Sequence, residues 1–201
     1  VLAIFTAGLG AGWLLQQYDN RRLFGIEAEA IAAVLDLKAG VNAGDIRAGT
    51  GRWTVDMARR VGPVGQVYAT AGPNPPHELM RTVAESGLDN VTVITRTPGA
   101  SPRLPVRCCE AVLVRAVYHE FEDRRRLVQS LALNVRPGGR VAVIDFDEGT
   151  PEFAGRHGIA RSTVVAEFTA GGFEVVEERP RWFGNAYCIV FRRRPDTDTL
   201  P

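Results

Sequence analysis

The chain is predicted to fold as an α/β domain, a three-layer sandwich with helices on both faces of a mainly parallel sheet. Three observations carry that expectation. Short apolar runs suited to strands alternate with runs of helical period, the order that builds parallel βαβ units. The first strand-like run ends in the Gly-rich turn Asp45-Ile46-Arg47-Ala48-Gly49-Thr50-Gly51 and passes straight into a helical run. Open α/β sheets bind ligands at such a strand–turn–helix. The last two apolar runs have no helix between them, which adds an antiparallel edge. A length of 201 residues allows one such domain with a sizeable core.

Val1 to Leu15 carries no charge, and Gln16 to Arg22 then turns polar. A spanning helix needs about 20 apolar residues. The run is therefore read as the C-terminal part of a membrane anchor, an N-terminal apolar helix placed ahead of the domain. A signal-peptide h-region and a buried helix are the alternatives. Trp13 and Tyr18 suit an interfacial aromatic belt, and Gly8 and Gly12 make a small-residue face for packing on another membrane helix. Arg21 and Arg22 alone would hold the domain in the cytoplasm by the positive-inside rule.

From Ile26 to Leu37 the apolar residues recur with helical period, and Lys38-Ala39-Gly40 closes the helix with glycine at its end. Strand one is expected at Val41–Ile46 and a helix at Trp53–Val61; strand two follows at Gln66–Thr70. Pro75-Pro76 opens a helix His77–Ser86, and strand three is Val91–Thr95. A Pro- and Gly-containing loop leads to strand four at Ala111–Val114 and a helix Phe121–Val135; strand five is Val141–Phe146. Ser162 reads as the cap of a further helix. Phe173–Glu178 and Tyr187–Arg192 are the closing strands. The chain thus divides into an anchor or its end over 1–22, a domain over 23–194 and a tail over 195–201.

Composition excludes some functions. A formal net charge of +1 leaves no basic footprint for nucleic acid. The three cysteines, two of them adjacent at Cys108 and Cys109, match neither a disulfide framework nor a zinc spacing. They are read as small core residues at a strand start, which leaves the compartment open. His77 and His157 have no partner at a metal-ligand spacing, so no metal is expected.

The order of parts resembles the class I S-adenosylmethionine-dependent methyltransferases over roughly Ile26 to Arg194. DIRAGTG (45–51), GPVGQVYAT (62–70), GLDNVTVI (87–94), YHEFED (118–123), RPGGRVAVIDF (136–146) and AGGFEVVEE (170–178) carry the resemblance. It implies a seven-stranded sheet of order 3-2-1-4-5-7-6 with strand seven antiparallel. A dinucleotide-binding fingerprint is ruled against, because Thr54 stands where its third glycine belongs.

The resemblance also implies a cofactor site, and this chain departs from it. Where the family's first glycine lets backbone lie under the cofactor, Arg47 brings bulk and a charge like that of the sulfonium. Ala71 replaces the acid that grips the ribose hydroxyls, and residues 97–101 offer no acid for the adenine amine. Arg115 follows strand four where Asn or Asp often faces substrate. Asp45, Gly49 and Gly51 are retained and would hold the cofactor if the site is active. His119 or Glu120 would then assist proton removal. Losing the ribose acid alone costs roughly 10- to 100-fold in affinity.

Read together, these departures and the apolar N-terminus point to a non-catalytic, membrane-anchored protein. It would be an accessory subunit that docks on an integral membrane protein or complex and needs no cofactor, with the domain leaning to the extracytoplasmic side. The competing expectation is an active S-adenosylmethionine-dependent methyltransferase acting on a small or membrane-associated substrate. A third is an anion site built by Arg47 and Arg115, with Arg47 otherwise turned to solvent or paired with Asp45.

Overall fold

The computed structural model describes residues 20–72, 74–95, 102–148 and 158–196. It contains one seven-stranded sheet of order β3-β2-β1-β4-β5-β7-β6. The strands are β1 (Ala43–Ile46), β2 (Val67–Thr70), β3 (Val91–Ile94), β4 (Cys109–Arg115), β5 (Val135–Phe146), β6 (Phe173–Arg179) and β7 (Ala186–Arg193). Strands β3, β2, β1, β4 and β5 pair in parallel, whereas β7 runs antiparallel to both β5 and β6. The sheet is thus mixed, and the strand order inferred from the resemblance holds.

Period-two alternation divides the strands between two cores. Val112, Val114, Val141 and Val143 face α4 (Arg124–Asn134) and α5 (Arg161–Ala170) through Leu127, Leu131, Val164 and Phe168. Ala43, Ala111, Leu113 and Ala142 face the other way, onto a helix α1 over 20–35 and α2 (Arg52–Val61). The helix α3 (His77–Ser86) completes that layer by packing Leu79 on Ala48, Ala69 and Ala71.

Several boundaries differ from the sequence reading. Helix α1 begins before Ile26 and stops at residue 35, because Asp36 takes a left-handed backbone (φ 54°) that ends the helical ladder. The expected helix Phe121–Val135 is shorter at both ends: a 3₁₀ turn over Tyr118–Glu120 precedes it, and α4 starts only after Asp123, whose carboxylate accepts the Arg126 amide at 2.9 Å. Val135 and Arg136-Pro137-Gly138-Gly139 extend β5 instead of forming a loop, and a bulge between Cys109 and Ala111 absorbs the irregularity. Ser162 does not cap α5. That helix starts at Arg161, so its serine sits in the first turn and Ala160 holds the cap position without a side-chain bond.

Cys108 and Cys109 are buried, as expected of small core residues, but they are joined to each other by a disulfide. Adjacent cysteines close such a bond without bringing any loop together, so spacing rules built on frameworks miss it. Among the described residues no helix is long and apolar enough to cross a membrane. The anchor expected over Val1–Leu15, like the acid-free segment 97–101 and His157, lies outside the described residues.

Candidate functional site

Strand order reverses between β1 and β4, so the crevice lies beyond their C-terminal ends. The last paired residues are Ile46 and Val114, and the next residue on each strand is an arginine. Arg47 takes a left-handed backbone at φ 52°, a conformation that costs a side-chain-bearing residue roughly 1–2 kcal/mol. Its amide donates to Thr70 Oγ1 at 2.9 Å at the end of β2.

The Arg47 side chain is buried to 8% exposure. Its Nη1 donates to Glu120 Oε2 at 3.1 Å, and its Cζ lies 3.8 Å from the centre of the Phe121 ring. A guanidinium stacked on a ring and paired with a carboxylate is held from two sides. The side chain therefore ties the end of β1 to the loop after β4. It neither swings into solvent nor pairs with Asp45, because the left-handed backbone aims it at Phe121.

Gly49 and Gly51 of the same turn are also left-handed, at φ 56° and 85°. A Cβ on Gly51 would meet Leu79 Cδ1 at 2.8 Å, so this glycine lets α3 pack on the turn. A Cβ on Gly49 would meet nothing within 4 Å, so open space lies beside it. Ala71, where a ribose acid is expected, is 3% exposed within the small cluster of Ala48, Ala69 and Leu79.

Asp45 turns inward. It is 3% exposed and accepts the Thr54 hydroxyl of α2 at 2.6 Å. Burial pushes its carboxyl up to about 6, against smaller opposing pulls from the Thr54 hydroxyl and the Arg115 charge. The folded chain thus keeps a proton on Asp45 that the unfolded chain releases near pH 4. Stability from this group is greatest in acid and falls as pH rises between about 4 and about 6. Asp45→Asn keeps an acceptor for Thr54. It is expected to flatten that slope and to raise stability at neutral pH by on the order of 2 kcal/mol. Denaturant melts across this range check it, and an unchanged slope in the variant refutes the assignment.

Arg115 does not join Arg47 in an anion site. Its Nε and Nη2 donate to the two carboxylate oxygens of Glu27 on α1, each at 2.9 Å, and its Cζ lies 4.6 Å from the Trp53 ring centre. Trp182 adds a third bond to Glu27, Nε1 to Oε1 at 3.0 Å. Alternation along β4 sends Arg115 to the α1/α2 face, while Arg47 turns toward the 3₁₀ turn. The two cations at one level of the sheet are thereby separated, and neither is left for a shared anion.

His119 lies in that 3₁₀ turn with its side chain 7% exposed. Asp145, fully buried at the end of β5, accepts the His119 amide at 3.1 Å and faces its Nδ1 at 2.6 Å. The Phe146 amide donates to the same carboxylate at 2.9 Å. The imidazole is thus oriented by an acid, with Nε2 4.0 Å from Glu120 Oε1. Glu120 itself is taken by Arg47. In the sequence the Asp145 carboxylate is one acid inside an apolar strand string, and nothing along the chain marks Thr54, Thr70, Phe121 or Glu27 as partners in the site. Only the inward acid inside VAVIDF offered a signal. His77 is exposed at the start of α3 and joins none of these groups. Among the described residues no three His, Cys, Asp or Glu side chains are placed to hold a metal ion.

No family model matches the chain, and no curated protein matches it in sequence. Solved structures do match. A SAM-dependent methyltransferase from Aquifex aeolicus superposes with a TM-score of 0.74 at 17% identity, covering 86% of this chain and 97% of that one. A putative methyltransferase from Bacillus halodurans gives 0.70 at 12% identity, covering 84% and 99%. The [4+2]-cyclase SpnF gives 0.69 at 14%, covering 84% and 80%. At such identities the likeness is one of fold, and a cyclase among the matches shows that the fold alone does not name a reaction.

Proposed function

We infer, from a chain that has the class I S-adenosylmethionine-dependent methyltransferase fold, that it serves as a non-catalytic accessory subunit anchored to a membrane. The observation that carries this reading is Arg47, lodged between Glu120 and Phe121 where the fold's methyl donor would need bare backbone. Ala71, packed among apolar neighbours, supplies no carboxylate for the ribose. On this reading the residues present do not fit S-adenosylmethionine, and no chemical step is derived through it. The apolar Val1–Leu15 run supports the anchor, and an integral membrane protein or complex is the kind of host it suits.

Calorimetry of the full chain in mild detergent tests the reading. No saturable heat is expected with S-adenosylmethionine, and a Kd tighter than roughly 100 μM overturns it. Arg47→Gly makes a companion measurement. It relieves about 1–2 kcal/mol of backbone strain and loses a cation–π contact of about 0.5–2 kcal/mol and a Glu120 ion pair of about 0–1 kcal/mol. Its melting temperature is expected within about 4 °C of the parent, so any binding it gains reports on access alone.

The Cys108–Cys109 disulfide supports an extracytoplasmic domain, since cytosolic thiols are kept reduced. Chain denatured at lysis in a thiol-blocking reagent should have an intact mass short of two hydrogens and one blocked thiol, at Cys188, which only unfolding exposes. Three blocked thiols count against that side.

One arrangement favours a second reading, an active methyltransferase on a small or membrane-associated substrate. His119 is oriented by Asp145 as a general base would be, and Asp45, Gly49 and Gly51 are the residues that would contact the cofactor on this reading. The same calorimetry decides between the two.

A further inference from the structure

The membrane-anchored reading leaves open which part of the domain meets the bilayer, and the packing of α1 bears on it. Phe24 of α1 lies 4.5 Å from Trp53, ring centre to ring centre, at the first turn of α2. Arg52 stacks over Phe24 at 3.6 Å, and one turn on Glu27 clasps Arg115 at the end of β4. Residues 24–27 thus pack at the sheet end where the crevice opens. The chain preceding α1 enters the domain there. Only four residues, Gln16 to Asp19, separate the uncharged Val1–Leu15 run from residue 20. Even fully extended they span no more than about 14 Å.

The exposed surface at this end matches a lipid headgroup layer. Leu23 and Ile26, 56% and 47% exposed, share one face of α1 by their spacing. Arg21 and Arg22 near the start of the helix and Arg52 over Phe24 are exposed, and none of the three forms an ion pair among the described residues. Arg52 is held below the ordinary arginine range by burial and by the charges of Arg115 and Arg21, against a smaller opposing pull from Glu27. Exposed apolar residues and unpaired arginines at one end of a helix, next to an apolar run, have the make-up of an interfacial segment on anionic lipid.

We propose that the crevice end of the domain rests on an anionic lipid surface. Leu23 and Ile26 sit at the headgroup boundary, and Arg21, Arg22 and Arg52 lie against lipid phosphates. The proposal rests on the membrane-anchored reading and adds an orientation: whatever approaches Arg47 and His119 does so from the headgroup layer.

The test uses the full chain in vesicles of phosphatidylcholine with and without phosphatidylglycerol. An environment-sensitive fluorophore is attached at Leu23→Cys or, as the control, at Val64→Cys, a 79% exposed loop position just before β2 at the opposite end of the sheet. Cys188 is buried and Cys108 is bonded to Cys109, so the added thiol takes the label. The label at position 23 is expected to shift to the blue in phosphatidylglycerol vesicles. High salt or the combined Arg21→Glu, Arg22→Glu and Arg52→Glu variant should reverse at least half of that shift, while position 64 stays water-like throughout. If the chain floats with the vesicles and the label at 23 behaves like that at 64, the orientation is wrong and the anchor stands. If folded chain floats with neither vesicle, the anchor and the orientation fall together. A blue shift without lipid that grows with protein concentration means a second copy covers the face, which also overturns the proposal.

Discussion

Arg115→Met is expected to lower the unfolding free energy by about 2–4 kcal/mol, because it strands the Glu27 carboxylate in a site that is only 9% exposed. The opposite truncation, Glu27→Leu, leaves Arg115 a route to water, its side chain being 30% exposed, and should cost less. Replacing both members together removes the stranded charge and should recover most of the loss. A denaturant-melt cycle therefore gives a coupling energy of roughly 2 kcal/mol. If Arg115→Met melts within about 0.5 kcal/mol of the parent, the clasp between α1 and β4 does not hold the domain together. The result bears on function because this clasp fixes where the chain leading to α1 enters.

Phe168→Ala should cost still more, about 3–5 kcal/mol, or about 10 °C in melting temperature. Phe168 is fully buried on α5 and stacks on Phe191 of β7, with ring centres 4.2 Å apart and planes within 12°. Phe173 meets its edge at 5.3 Å, and the Tyr118 ring lies 5.6 Å away. Tyr118 precedes His119, and its hydroxyl donates to Glu167 of α5 at 2.6 Å. Loosening the stack should therefore reach the 3₁₀ turn. Faster amide exchange at residues 118–121 than elsewhere on the sheet is the expected signature. A uniform loss of protection would mean the turn is not specially coupled to α5.

The fold was legible because its signals are local. Short β-branched runs such as Val91–Ile94, glycines closing each turn and helical periods between them can be read along a few residues. Boundaries slipped where a neighbour in space decided. Residues 135–139 joined β5 because β4 offered a partner at Cys109, and α1 ended where Asp36 turned left-handed.

The site was legible only in part for the same reason. Arg47 stands out in its turn from sequence alone, yet its partner Glu120 lies 73 residues away, where position along the chain suggests a base and not an ion-pair partner. Arg115 and Glu27 are 88 residues apart. Asp145 sat unmarked in a strand until the sheet brought it to His119. A substitution's misfit is written in the sequence, while what the misfit does depends on contacts across the sheet.

The way Arg47 is held has a consequence for small-molecule discovery. Its backbone is held by Thr70, and its guanidinium, at the far end of the side chain, meets Glu120 and Phe121. A fragment offering a carboxylate beside a flat ring would compete with Glu120 and Phe121 for the guanidinium. Screening for such acids by ligand-detected magnetic resonance would probe the crevice without any assumption about a natural ligand.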